Sequence, residues 1–227
     1  MVTIRNKHFH RELEKLKKKL LALGAMTEDR VRKVARAVTS KDSDLAVQII
    51  KSDYEIDEME VEVEEDALKI LALYQPVAVD LRLIIAMIKI NNDLERIADQ
   101  AKNIAQRLQT LLKRREIDTS FDYSAMSEKV QSMVKMSLDA LVNLDSDLAL
   151  EVCRVDDEVD EIKNEAYDCI KHAIKDAPER VGYLINLLLI SRHLERIGDH
   201  ATNIAEEVIY LVEGEIVRHG KLAFEKG

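Results

Sequence analysis

Tryptophan is absent from this chain of 227 residues, and cysteine (two), proline (two) and glycine (six) are scarce. So little proline and glycine excludes a turn-rich β architecture. Cys153 and Cys169 fall sixteen residues apart in one predicted helix, roughly 24 Å at ~1.5 Å per residue, so an intramolecular disulfide is excluded and buried thiols are expected. No Cys or His cluster has the spacing of a structural zinc site, and no EF-hand loop occurs. The longest apolar runs, Leu83 to Ile88 and Leu187 to Ile190, fall far short of the ~20 residues that span a bilayer. With no signal-peptide h-region at the N-terminus, a cytoplasmic protein is expected. Basic residues are not in excess: the net charge is -9 and the pI about 5.3, which disfavours nucleic acid as a partner. The basic run Arg11, Lys15, Lys17, Lys18 and Lys19 could meet a membrane surface or an acidic partner, but Glu12 and Glu14 within it point to an ordinary solvated helix.

What the chain has instead is 47% hydrophobic and 34% charged residues, the balance of long amphipathic helices. It also has an internal repeat. Residues 94 to 105 read LERIADQAKNIA and residues 194 to 205 read LERIGDHATNIA, with nine of twelve positions matching at an offset of one hundred. The segment DSDLA recurs at 42 to 46 and 145 to 149, an offset of 103, so the second copy is three residues shorter in between, near Pro76 and Pro178. Each copy resolves into three helices, near 8 to 39, 43 to 74 and 78 to 113, then 122 to 143, 146 to 176 and 178 to 213. Asp42 or Ser43 and Asp145 or Ser146 can cap the middle helices, and Gly214 can terminate the last. Apolar spacing agrees, as at Ile56, Met59, Val63 and Ile70, or Leu94, Ile97, Ala101, Ile104 and Leu108. The expected fold is all-α, two tandem three-helix bundles of six long helices, with domains at 8–115 and 120–215. Leu83 to Ile90 and Leu184 to Ile190 are apolar almost all round, which places them between bundles or between subunits.

Nine of the fourteen residues from Asp53 to Asp66 are acidic. Asp53, Asp57, Glu60 and Glu64 follow i, i+4, i+7, i+11, one strip of a helix. Each like-charge pair costs roughly 0.2 to 0.5 kcal/mol in an isolated helix, and no Lys or Arg interrupts the strip. Glu95, Asp99 and Asn103 form a matching strip on the next, antiparallel helix. The second copy repeats Asp156 and Asp160, then Glu195, Asp199 and Asn203, but has Lys163 and Tyr167 where the first has Glu60 and Glu64. Oxygen-only sets of this kind suit hard cations; a solvated acidic face is the other reading. The Glu-x-x-His pairs of di-iron bundles are absent, since Ala98 and Gly198 hold the histidine positions.

The doubled LERIxDxAxNIA motif, the QPVAVDLRL segment from Gln75 to Leu83 and the twofold three-helix layout closely resemble the PhoU family of phosphate-transport regulators. The likeness runs over nearly the whole chain, from about residue 10 to 215. It implies two bundles carrying E/D-x-x-x-D motifs that hold multinuclear metal clusters, iron first, with Mn, Mg and Ca as other hard cations. The ligands so implied are Asp53, Asp57, Glu95, Asp99, Asp156, Asp160, Glu195 and Asp199. It also implies a cytoplasmic, metal-binding, often homodimeric negative regulator. Such a protein couples a high-affinity phosphate ABC transporter to a membrane sensor kinase, reaches the membrane only through those partners, and is not an enzyme. Two departures stand out. The DLR segment at Asp80 to Arg82 has only PERV in the second copy, and His200, a possible nitrogen ligand or a solvent-facing side chain, stands where the first copy has Gln100. Two other functions remain open on these residues: a carboxylate-bridged multinuclear metalloenzyme, for which no catalytic constellation is visible, and a metal-free helical adaptor.

Overall fold

The computed structural model describes residues 2–113 and 121–214. The described residues are helical, with no strand: α1 Val2–Ser40, α2 Ser43–Lys51, α3 Tyr54–Tyr74, α4 Ala78–Leu112, α5 Ser124–Asn143, α6 Ser146–Asp176 and α7 Val181–Glu213, the last entered through a 3-10 turn at Pro178–Arg180. The expected boundaries are met to within a few residues in most places, because they rest on capping chemistry. Asp42 accepts from the Leu45 backbone N–H at 2.9 Å and Asp145 from that of Leu148 at 3.0 Å, each satisfying one orphan amide of the helix start. Gly214 ends α7 at φ 79°, where a Cβ would also lie 2.8 Å from the Arg82 guanidinium. The shortening of the second copy falls at the turn: Gln75, Pro76 and Val77 separate α3 from α4, whereas Ala177 alone precedes the 3-10 turn. The domain ends at 115, 120 and 215 lie outside the described residues.

Helices α1 to α4 pack as one bundle and α5 to α7 as the other, and α4 and α7 pack on each other between them. Ile84, Met87 and Ile90 on α4 and Leu184, Leu187 and Ile190 on α7 are buried, whereas Ile85 and Ile185 of the same apolar segments are exposed. One hydrophobic core runs through both. The seam carries the symmetry of the repeat. His200 Nδ1 donates to Asp93 Oδ1 at 2.9 Å, and His193 Nδ1 donates to Gln100 Oε1 at 2.8 Å. At the offset of one hundred, 93 corresponds to 193 and 100 to 200. Position 93 of each copy therefore faces position 100 of the other, an antiparallel, pseudo-twofold contact of the kind two identical subunits make.

One of the six long helices is interrupted. The second helix of the first copy is broken at Ser52–Asp53, while its counterpart α6 runs unbroken. Arg30 of α1 is the cause. Its Nη2 donates to the Ser52 carbonyl at 2.6 Å and its Nη1 to Asp53 Oδ1 at 2.7 Å. With the Ser52 carbonyl so engaged, the Ile56 N–H bonds to Asp53 O at 3.0 Å instead, and the ladder tightens for a turn. The offset of 103 puts Met133 at the Arg30 position, which offers no donor, and α6 continues. Arg30 and Asp53 are both buried, with side chains 6% and 8% exposed, so removing Arg30 leaves Asp53 to Lys102 alone and takes a charged donor from the Ser52 carbonyl. Arg30→Met is expected to lower the unfolding free energy by about 3 kcal/mol in a denaturant titration; a loss below about 1 kcal/mol, the size of a surface ion pair, would show that the pair does not hold the break.

Candidate metal centres

The first carboxylate set lies between α3 and α4, the second between α6 and α7. In the first, Asp53 is gripped by Arg30 and also by Lys102, which reaches towards Asp99 as well at 3.7 Å. The positive charge that the acidic strip lacks in sequence is thus supplied, for Asp53, from two other helices. The remaining carboxylates are less well compensated. Burial, with Asp99 next to it, pushes the Glu95 carboxyl up to about 7, Arg96 offsetting this in part. Asp57 is raised by burial and by the neighbouring Asp53 charge, and Glu60 by burial and by Glu64. Glu60 accepts from Asn91 Nδ2 through its backbone oxygen at 3.0 Å and through Oε1 at 3.2 Å.

The second set is built differently. Asp156 has no Arg30 equivalent, since Met133 fills that space, and no Lys102 equivalent, since Thr202 stands there. Asp156 packs beside Gly198, where an added Cβ would lie 3.3 Å from its Oδ1 and 3.4 Å from Met133 Cε; the first copy has Ala98 at this position. Burial, with Asp199 and Asp160 nearby, pushes Asp156 up to about 6. Asp199 is raised by burial and by Glu195. The cation here is Lys163, 2.7 Å from Asp160 and 3.0 Å from Glu195. Burial alone would lower its pKa, and the two carboxylates together raise it.

All eight sequence-derived residues therefore fall into two groups of four, each on a facing pair of helices and each holding members in mutual electrostatic contact. Among the described residues, however, no three Asp, Glu, His or Cys groups are gathered tightly enough to hold one ion as they stand. Lys102 and Lys163 are tethered ammonium groups lying where added positive charge is wanted. The donor chemistry fits a hard cation, provided that these two lysines yield. His200 is not a solvent-facing side chain; its Nδ1 bonds Asp93 across the seam rather than a member of the second carboxylate set. Arg82 of the DLR segment stacks over Tyr210 of the other copy, 5.5 Å from the ring centre. Neither cysteine is in a disulfide, both are half-buried, and burial pushes the Cys153 thiol up to about 11. The basic run at the start of α1 is paired locally, Lys15 with Glu12 at 3.1 Å and Lys17 with Glu14 at 2.9 Å, while Lys19 reaches Asp66 at 2.7 Å. Among the described residues no helix is long and apolar enough to cross a membrane.

Sequence reasoning missed Arg30 and Lys102. Extending the 103-residue offset back into the first helices aligns Arg30 with Met133 and would have marked the difference.

Known proteins match this arrangement over most of the chain. The family model of the PhoU domain matches twice, over residues 20–108 and 123–208. A phosphate-specific transport system accessory protein PhoU homolog of Pseudomonas aeruginosa is 41% identical over 216 residues, covering 94% of this chain and 89% of that one. Another protein so named, from Aquifex aeolicus, is 37% identical and covers 96% and 98%. Among solved structures, PhoU from Pseudomonas aeruginosa superposes with a TM-score of 0.88 at 40% identity, covering 91% of this chain and all of that one. The phosphate transport system regulatory protein PhoU from Streptococcus pneumoniae gives 0.82 at 29%, covering 93% of this chain. With two domain matches on the two halves of one repeat and relatives alike from end to end, the chain belongs to the PhoU family.

Proposed function

We propose that this chain is a metal-binding negative regulator of phosphate uptake and of phosphate-starvation signalling, and that it acts by engaging protein partners rather than by turnover. The observation that carries the regulatory reading is the match, over more than nine tenths of the chain, to accessory proteins of a phosphate-specific transport system. The partners that follow are the high-affinity phosphate ABC transporter and a membrane sensor kinase, met in the cytoplasm by a homodimer. The metal reading is supported by carboxylates whose pKa is raised by burial and by neighbouring like charges, Glu95 and Asp156 most of all. Asp53, Asp57, Glu95 and Asp99 would hold one cluster and Asp156, Asp160, Glu195 and Asp199 the other, iron first among the candidates and Mn, Mg or Ca the alternatives. A hard cation there would supply the missing positive charge and coordination positions for acidic groups on a partner. The chain's own part is to hold the carboxylates on rigid neighbouring helices, with Lys102 and Lys163 as the charges to be displaced.

Elemental analysis of protein purified without chelator is expected to find more than one metal ion per chain. Glu195→Ala with Asp199→Ala removes only the second copy's share, and Lys163→Met increases retention there. Bound metal also raises the melting temperature, because it binds the folded state alone. Unchanged metal content in a variant lacking all eight carboxylates would place the ligands elsewhere.

In cells, deleting the gene is expected to leave phosphate-starvation genes switched on in phosphate-rich medium, with the wild-type copy restoring repression. A copy with Glu95, Asp99, Glu195 and Asp199 changed to Ala restores it poorly at normal abundance. Full repression in the deletion strain, with no second paralogue present, would remove the regulatory assignment.

A further inference from the structure

The turn between α3 and α4 ends the first copy in an apolar tip. Leu73, Val77 and Val79, 68%, 74% and 68% exposed, are the three most exposed large hydrophobic side chains among the described residues. At the offsets of 103 and 100 the second copy has Asp176, Ala177 and Glu179 in their places, so the same turn is built there without them and the fold does not require them. The first copy's turn is also held at a cost. Gln75 and Ala78 both take a positive φ, 50° and 51°, without being glycine; among residues 177–181 none does.

A second observation is the charge beside this tip. The ring of Phe9 packs on that of Tyr74 with centres 5.7 Å apart, which brings the first turns of α1 to the end of α3. From residue 7 to residue 18, α1 carries Lys7, Arg11, Lys15, Lys17 and Lys18 against only Glu12 and Glu14. Those two glutamates are taken by Arg11, Lys15 and Lys17, and among the described residues Lys7 and Lys18 pair with no carboxylate. In a chain of net charge -9 this is a local surplus of the opposite sign. Asp80, the acidic residue of the turn, lies in the first turn of α4, where the helix N-terminus favours it.

We propose that this end of the chain docks on the surface of an anionic lipid bilayer, with Leu73, Val77 and Val79 entering the boundary between headgroups and acyl chains and the start of α1 lying against the headgroups. A bilayer asks for aliphatic surface on a protrusion and for cations beside it, and both are present. The anchor of a protein interface is more often Trp, Tyr or Arg seated in a pocket, with Leu and Val under-represented, whereas these three positions offer aliphatic carbon alone. Among the described residues no helix is long and apolar enough to cross a membrane, so the contact stays at the surface. This departs from the expectation that the chain reaches a membrane only through its partners, and it does not depend on metal at the carboxylate strips.

The test is cosedimentation of the full chain with vesicles of equal parts phosphatidylglycerol and phosphatidylcholine, against vesicles of phosphatidylcholine alone. Sedimentation with the anionic vesicles is expected, weakened by high salt and lower on phosphatidylcholine alone. Leu73→Asp with Val79→Glu, which gives the turn the residues of the second copy, is expected to lower the vesicle affinity about tenfold or more at an unchanged circular dichroism spectrum. Lys7→Gln with Lys18→Gln lowers it in the same direction. Failure of the wild-type chain to sediment with anionic vesicles would overturn the proposal, as would unaltered affinity in the variant with both Leu73→Asp and Val79→Glu. So would a chain that ignores vesicles but whose oligomer, measured by light scattering, is broken by that variant, since the tip would then be an interface between copies.

Discussion

The antiparallel packing of α4 on α7 fixes where everything else lies. Each helix packs both within its own bundle and on the opposite copy, with Ile84, Met87 and Ile90, like Leu184, Leu187 and Ile190, among its buried residues. The same two helices carry Glu95 and Asp99, and Glu195 and Asp199. Because the seam positions these helices rigidly, it also sets the carboxylates against α3 and α6, one set in each half. The reciprocal contacts of positions 93 and 100 are those expected when a gene duplication fuses the two subunits of an isologous dimer, after which each half is free to diverge.

The divergence is mostly electrostatic. Asp53, buried, and Asp156, half-buried, occupy the same place in the two halves, and a carboxylate taken out of water must be paired, protonated or otherwise compensated. The first half pairs Asp53 with Arg30 and Lys102, and accepts a broken helix as the consequence. The second half replaces these by Met133 and Thr202, keeps α6 straight, and leaves Asp156 shifted towards protonation beside Gly198. A long flexible lysine and a desolvated aspartate are two different responses to the same local excess of negative charge. They leave the two halves unequally prepared to receive a cation.

The periodicity of apolar residues, the caps at Asp42 and Asp145 and the repeat itself made the helices and their pairing legible, because each depends on neighbours a few residues away. The acidic strips were legible for the same reason, as was the intrusion of Lys163 into the second one. The helix break at Ser52 was not, since it is imposed by Arg30, a partner distant in sequence whose own helix looks like any other amphipathic one. Nor was the role of His200. Its partner Asp93 lies in the other copy, and only the packing of the copies brings the two together.

A regulator that works through binding needs surfaces whose charge can change without unfolding the scaffold. In this chain the apolar core is continuous, and the strip carboxylates other than Asp53 are not among its buried residues. Lys102 and Lys163 have side chains 30% and 27% exposed, on flexible stems that can swing into solvent at little cost. Arg30 is buried and fixed by the Ser52 carbonyl as well as by Asp53, so it cannot do the same. Displacing a lysine from a carboxylate set therefore alters the charge of a groove while the buried pair and the seam stay in place. In the first half Arg30 stays on Asp53 Oδ1 when Lys102 leaves its Oδ2, whereas the second half has no such fixed arginine.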